Sequence, residues 1–191
     1  MRSTLKLRSL ALLLASLCGL LSLSAHADND KDTYDKNSVL QEANSFFGET
    51  TAGLAGVIEK AFADHGRPNG YIKGEEVSGA LGVGLRYGSG SLTLKRGGGH
   101  KVHWTGPSIG FDAGANASKA FVLVYHLPNV NALYQRYPAV EGSFYYIAGA
   151  GINYQQRDNI ILAPIRVGVG LRGGVNLGYI NYTKEKTWIP F

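Results

Sequence analysis

Hydrophobic and polar residues alternate one by one in two stretches that share the pentapeptide Gly-Val-Gly-Leu-Arg, at 82–86 and 168–172. Successive side chains of a strand point to opposite faces, so an alternation with a period of two predicts β-strands. In both stretches the larger apolar residues share one face. Glycines followed by an arginine, Arg86 or Arg172, share the other face. Each strand is therefore predicted to have an apolar face and a bare face that another segment or a ligand can approach closely.

Similar strand patterns fill most of the chain after the Pro-Asn-Gly sequence at 68–70. They predict strands over 77–87, 91–95, 100–105, 120–126, 143–154, 160–163, 165–172 and 175–182. Glycine-rich segments and an Asp-Asn pair predict turns at 88–90, 97–99, 158–159 and 173–174.

Helical spacing of apolar residues is confined to a few segments. The clearest predicts a helix over 51–64, with a shorter one before it over 38–47. A short connecting helix is predicted over 129–137, where a proline follows. Ala52 and Gly56 give the main helix an edge of small residues, which we expect to lie against the glycine-rich strands.

Many short strands, few helices and 26 glycines together predict a mainly β fold with a small α component. We expect a small antiparallel β-barrel packed by one N-terminal helix and one short connecting helix. Closure of a sheet into a barrel removes the exposed edges that would otherwise pair with other chains.

The N-terminus predicts export. Residues 1–27 combine a cationic start, an apolar stretch over 10–23 and an Ala-His-Ala site, so we expect a signal peptide cleaved after Ala27. The apolar stretch is shorter than the ~18 residues that a membrane span needs. Residues 28–37 mix both charges and predict a flexible linker. Residues 38–191 are predicted to form a single domain, and the mature protein is expected in the periplasm.

Charge and cysteine usage narrow the function classes. The chain carries a net charge of +5, and three of its cations lie in the leader, which leaves +2 for the mature protein. Clustered basic residues of the kind that bind nucleic acid are missing from the mature sequence, so no nucleic-acid partner is expected. The single cysteine, Cys18, also lies in the leader, so neither a disulfide nor a thiol nucleophile is predicted.

Two glycine motifs match sequence signatures of enzymes. The Gly-x-Gly-x-x-Gly pattern at 168–173 binds dinucleotides only where a strand turns into a helix, and another strand is predicted there. The Gly-x-Ser-x-Gly pattern at 106–110 matches a nucleophile elbow, with Ser108 as nucleophile and Asp112 and His126 as its partners. The alternating α/β framework of such hydrolases is missing, and a Gly-Pro turn is the simpler interpretation. A serine hydrolase using Ser108 stays as an alternative, and no catalytic residue is assigned.

Metal binding and acid–base pairing are not predicted. His100 and His103 are an odd number of residues apart on one strand, so their rings face opposite sides and cannot share a metal ion. Glu75 and Glu76 straddle the two faces of a strand in the same way. Neither a metal nor a cofactor is expected.

The aromatic C-terminus, ending at Phe191, is typical of the last strand of an outer-membrane barrel. Strands in such barrels have ~9–11 residues, which several of the predicted strands do not reach, and Pro190 interrupts the terminal pairing pattern. An integral barrel therefore stays as a second alternative, and membrane association is expected to be peripheral at most.

Several longer motifs occur in a fixed order, at 70–80, 84–88, 104–112, 123–125, 140–143, 163–166 and 187–191. With these motifs the chain, from about residue 47 onwards, resembles the envelope integrity protein A family of Gram-negative bacteria. The resemblance implies a periplasmic small β-barrel that contributes to cell-envelope integrity. It implies no established enzyme activity, cofactor or catalytic residue.

The functional hypothesis is therefore a non-enzymatic barrel that supports the cell envelope by binding an envelope lipid, polysaccharide or protein. Arg86 and Arg172 are the candidate binding residues, because guanidinium groups pair well with phosphate and carboxylate. The alternative is that both arginines are solvated or paired at the rim of the barrel.

Overall fold

The computed structural model describes residues 31–48, 52–110, 116–168 and 178–187, of which 79–83, 108–110 and 116 are described by their backbone alone. Several sequence-based predictions lie outside the described residues: the signal peptide, the turn at 173–174, most of the 168–173 motif, Asp112, Arg172 and Phe191.

Two helices precede the sheet. Helix α1 spans Lys36–Phe47 and begins at Asp35, whose carboxylate accepts hydrogen bonds from the backbone N (3.0 Å) and the hydroxyl (2.6 Å) of Ser38. This N-cap satisfies an amide of the first turn that has no partner within the helix. The helix ends at Gly48, in the left-handed conformation at φ +80°. Helix α2 spans Ala52–His65. Both helices predicted before the sheet, over 38–47 and 51–64, are thus present in the described residues, although the predicted barrel was packed by only one of them.

The folded part of the chain also begins earlier than predicted. The backbone N of Tyr34 donates to the carbonyl of Pro68 (2.8 Å), and the Tyr34 ring lies 5.2 Å from that of Tyr71. Residues 34–37 thus pack on the domain or start α1. The predicted linker over 28–37 is wrong for these positions.

The described residues include nine strands that form one sheet, and every pair recorded among them is antiparallel. They are β1 (Gly70–Leu94), β2 (Gly99–Gly110), β3 (Asn116–Tyr125), β4 (Arg136–Pro138), β5 (Tyr145–Ile147), β6 (Ala150–Ile152), β7 (Gln155–Arg157), β8 (Ile160–Val167) and β9 (Tyr179–Thr183). Their order is β4-β9-β2-β1-β3-β8-β6-β5, and β7 also pairs with β8.

The sheet curls until its two sides meet. β4 is at one end of the strand order, and the residue after it, Ala139, forms a bridge with Gln155 of β7. Next to the bridge, the backbone N of Val140 donates to the carbonyl of Tyr154 at 2.9 Å. These contacts tie β4 to the β7–β8 side and produce a curled, nearly closed barrel. The predicted mainly β, antiparallel barrel is confirmed.

Three predicted elements differ from the structure. The segment 143–154 is a hairpin of β5 and β6 with Ala148 and Gly149 at positive φ, so it is not one strand. The predicted helix over 129–137 is only a 3-10 turn, Val130–Leu133, after which the chain extends into β4. β8 continues through Pro164, which pairs in register with Val122 of β3.

The predicted turn at 88–90 is also wrong, because β1 runs through it. Residues 70–78 of β1 pair with β3, residues 82–93 pair with β2, and the two halves touch. A Cβ added at Gly74 would lie 2.4 Å from the carbonyl oxygen of Ser89, and one at Gly90 would lie 2.3 Å from that of Lys73. These glycines permit backbone-to-backbone contact instead of forming a turn.

Apolar side chains form two core clusters on opposite faces of the sheet. The outer cluster joins α1 and α2 to the sheet through residues such as Val57 and Phe121. The inner cluster fills the barrel with residues such as Ile72, Val122 and Leu162. On β1, β3 and β8 the two clusters use alternate positions, as the pleat of a strand requires.

The small-residue edge of α2 contacts a different partner from the one predicted. Ala52 is exposed, and the close contact is made by Gly53, where an added Cβ would lie 2.3 Å from the carbonyl oxygen of Ile147. Gly56 faces the Ile147 side chain. The helix therefore packs on the β5–β6 hairpin, which in turn accepts a hydrogen bond at Gly149 from Gly168.

We expect Gly74→Ala to reduce the free energy of unfolding by about 3 kcal/mol, because the methyl group would meet backbone atoms that cannot rotate away. Gly99→Ala is the matched control. It lies on β2, its nearest neighbour would be the Ser91 hydroxyl at 3.8 Å, and it should change stability by less than about 0.5 kcal/mol. Urea unfolding measures both. Equal effects of the two substitutions would contradict the contact between the halves of β1.

Candidate functional site

One buried carboxylate is shared by two arginines inside the barrel. Glu76 is 3% exposed. Arg166 donates to both of its carboxylate oxygens, from Nε to Oε1 and from Nη2 to Oε2 at 3.1 Å. The Nε of Arg86 lies 3.6 Å from Oε1, and the Nε1 of Trp104 donates to Oε2 at 3.3 Å. The ion cluster is defined here as Glu76, Arg86 and Arg166.

Strand alternation brings these side chains together. Glu76 and Arg86 occupy even positions of β1, on the face that carries Ile72 and Leu92 of the inner core. Arg166 shares its face of β8 with Leu162. The ion cluster therefore borders the inner apolar core.

The two guanidinium groups keep Glu76 ionised. Burial opposes its ionisation, but the charges of Arg166 and Arg86 and the hydrogen bonds from Arg166 and Trp104 outweigh burial and lower its pKa to about 2. Burial and the charge of Arg166 lower the pKa of Arg86 to about 10, against the attraction of Glu76. All three groups are charged at neutral pH, and the ion cluster carries a net charge of +1.

The candidate binding arginines can now be placed. Arg86 is 7% exposed and its charge faces Glu76, so it lies in the barrel wall and not on an open surface. Arg172 is outside the described residues. Arg166 was not singled out from the sequence, although the alternation predicted over 165–172 put it on the same face as the candidate Arg172.

A groove of about 350 Å³ lies on the outer face of the same strands. Its floor and walls come from β1, β2, β3 and the segment after β9. Val77, Tyr87 and Ala117 supply apolar and aromatic surface, and Glu75 and Lys186 supply one charge of each sign. We call this feature the outer groove.

Three polar atoms of the residues lining the outer groove have no hydrogen-bond partner within the described structure: Thr105 Oγ1, His103 Nδ1 and Thr187 Oγ1. All three atoms are buried, and Thr105 as a whole is 2% exposed. His103 and Thr105 occupy alternate positions of β2, opposite in direction to Trp104. More than about 90% of buried polar groups in proteins are satisfied. Other buried atoms in the described structure, such as Asn44 Oδ1 and Gln155 Nε2, also lack a partner, so what sets these three apart is that their residues line one groove.

The hydrolase motif does not form an elbow. Residues 106–110 continue β2, and Ser108 pairs with Gly84 on β1, so neither the predicted Gly-Pro turn nor a strand-turn-helix unit is present. His126 follows the end of β3 that lies beside Gly70, and its Nδ1 contacts the carbonyl of Asn159 at 3.1 Å. The structure thus places Ser108 and His126 at separate points of the sheet.

Neither a group of metal ligands nor a membrane-spanning helix is found in the part of the chain that the structure describes. It contains no group of three or more His, Cys, Asp or Glu side chains placed to hold a metal ion. Its helices are too short or too polar to cross a membrane.

We expect Glu76→Gln to reduce the free energy of unfolding by about 3–5 kcal/mol at pH 7, because two buried guanidinium groups would lose their counter-charge. The pKa of Glu76 is lowered from 4.5 to about 2 on folding, so its contribution is present above about pH 5 and is lost as the pH falls towards 2. Urea unfolding from pH 7 to pH 2 should show the gap between wild type and variant closing over that interval.

The neighbouring Glu75→Gln is the control for this series. Glu75 is exposed on the other face, so its replacement should have a small effect at every pH. A constant gap between wild type and Glu76→Gln from pH 7 to pH 2 would show that the charge of Glu76 is not what stabilises the fold.

Thr105→Val should stabilise the ligand-free protein by about 1 kcal/mol, because it removes a buried hydroxyl that has no partner. Thr183→Val is the matched control: that hydroxyl donates to the carbonyl of Glu185 at 2.7 Å, and its loss should destabilise by about 1 kcal/mol. Thermal and urea unfolding compare the two variants. A loss of stability in Thr105→Val equal to that in the control would mean that the Thr105 hydroxyl is already satisfied.

Comparison with known proteins agrees with this architecture. A solved structure from Brucella abortus, described as a beta-barrel-like, uncharacterized protein, is 49% identical. The match covers 84% of this chain and 99% of that one, with a TM-score of 0.78. No curated protein matches the chain significantly. The family model described as Envelope integrity protein A matches residues 32–191. The chain belongs to the envelope integrity protein A family.

Proposed function

We propose that this protein is a periplasmic, non-enzymatic barrel that supports cell-envelope integrity by binding an envelope component in the outer groove. The observation that carries the proposal is the set of three buried polar atoms without a protein partner, on His103, Thr105 and Thr187, in one groove. Membership of the envelope integrity protein A family supports the envelope role. The N-terminal sequence, with its Ala-His-Ala site, supports export.

The shape of the outer groove suits binding. Ligand sites in proteins are concave, combine apolar surface with a few well-placed polar groups, and occupy about 300–1,000 Å³. The outer groove meets these criteria at the small end of the range. Val77 remains 41% exposed at the groove, an apolar surface that a bound ligand would cover.

The chemistry of the groove favours binding over catalysis. Ser89 lies directly opposite His103 across the β1–β2 ladder, and both residues line the groove. No hydrogen bond joins their side chains in the described structure, whereas an activated serine needs its base within about 2.6–3.2 Å. The groove therefore presents hydroxyl and imidazole groups for recognition.

The positions of the ion cluster and the outer groove on opposite faces of β1 also fit this role. The ion cluster lies on the inner face of β1 and β8, and the outer groove lies on the other face of β1, between β1, β2 and β3. Binding at the outer groove therefore leaves Glu76 and its arginines undisturbed, and a rigid wall reduces the entropy lost on binding.

We expect Ala117→Trp to remove the function by filling the groove. Ala117 is exposed at the groove, so the indole can occupy the ligand space without entering either core cluster. In cells whose single copy carries this variant, resistance to detergent should fall to the level of a strain that lacks the protein.

Ala63→Trp is the matched control, since it makes the same change at an exposed position of α2 outside the groove. It should retain wild-type detergent resistance. Both variants should be exported in equal amounts and unfold at similar temperatures. Wild-type resistance in a folded, exported Ala117→Trp protein would contradict the proposed function.

A further inference from the structure

We infer that the ligand of the outer groove is an uncharged sugar segment of an envelope polysaccharide. This inference rests on the proposed function and narrows it to one ligand class. Its basis is the combination of unsatisfied hydroxyl and imidazole groups on one side of the groove with aromatic and apolar side chains on the other.

The polar side of the groove excludes a purely apolar occupant. A hydroxyl can both donate and accept, and a neutral imidazole does one at each nitrogen, so these groups complement other hydroxyls. The hydroxyls of Thr105 and Thr187 are already buried without a partner, and an acyl chain offers no hydrogen bond that would relieve this. A polyhydroxylated ligand satisfies both.

The apolar side suits the face of a sugar ring. Tyr87, Val77 and Ala117 are among the residues that line the groove. Sugar rings present C–H groups on their faces and hydroxyl groups at their edges. The negative face of an aromatic ring attracts such C–H groups, so ring faces pack on the apolar side while hydroxyls reach His103 and Thr105.

The charges at the groove argue against a phosphate or another strong anion. Glu75 and Lys186 contribute opposite charges to its lining. Arg86 and Arg166 do not line the groove, because their guanidinium groups are turned to Glu76 on the inner face. Anionic groups are usually recognised by converging guanidinium groups, and none is found among the described residues that line the groove.

The test is isothermal titration calorimetry, in which the mature protein is titrated with trisaccharides built from glucose, from mannose and from N-acetylglucosamine. Inorganic phosphate and phosphatidylglycerol vesicles are the comparison probes. We expect at least one trisaccharide to bind with a Kd of about 1 mM or lower. Thr105→Val should weaken that binding by about tenfold. Thr93→Val, the same change on β1 outside the groove, should leave it unchanged.

The inference is overturned if no trisaccharide binds, if binding survives Thr105→Val, or if only phosphate or vesicles bind in a manner that depends on Thr105. Its failure is distinguishable from failure of the proposed function. If Ala117→Trp abolishes detergent resistance and no trisaccharide binds, the groove has a role but its ligand is of another class. If a trisaccharide binds and Ala117→Trp cells are fully resistant, the sugar site stands without the envelope role.

Discussion

The sharing of one buried carboxylate by two arginines is the constraint on which the rest of this barrel depends. Glu76 is held between Arg86 of its own strand and Arg166 of β8, so it joins two strands that are separated in the sheet by β3. A buried ion pair is seldom a net source of stability, but it is costly to break once formed. The ion cluster thus requires one register of the strands, because a one-residue shift of β8 would turn Arg166 to the opposite face, and a shift of β1 would turn Glu76 and Arg86.

Close backbone approach is the second requirement, and glycine meets it. The Trp104 ring lies so near to Gly88 that an added Cβ would come within 2.0 Å of it. This position lets the indole donate to Glu76 on the inside, while Trp104 is also among the residues that line the outer groove. The same wall therefore carries the charge cluster on one face and the groove on the other, with Trp104 belonging to both.

Local patterns in the sequence were sufficient for the fold class and for both helices. Alternation identified the strands, and the turns at 97–99 and 158–159 are present because positive φ is adopted at Gly97, Gly98 and Asp158. Glycine led to a wrong prediction where its role is to allow two backbone segments to approach closely. At 88–90 it predicted a turn, whereas the structure uses it to bring β1 against itself and against Trp104. The spacing of glycines alone does not distinguish these two uses, because the partner is distant in sequence.

The site was harder to foresee for the same reason. Alternation correctly put Glu75 and Glu76 on opposite faces and Arg86 on the bare face, but pairing of Glu76 with Arg166 joins residues 90 positions apart. The outer groove is lined by β1, β2, β3 and the segment after β9, which are far apart in sequence. The unsatisfied atoms that mark the groove come together only when the chain folds. Arginines suggested an anion site from the sequence, whereas the structure turns Arg86 inwards and lines the outer groove with Thr105 and Thr187, whose hydroxyls are buried.

The most direct test of the account is a high-resolution crystal structure of the mature protein soaked with the trisaccharide that binds best. The account predicts a sugar ring against Tyr87, with sugar hydroxyls within hydrogen-bond distance of Thr105 Oγ1 and His103 Nδ1. Sugar bound elsewhere on the barrel, or a Thr105 hydroxyl already donating to a protein carbonyl, would contradict it.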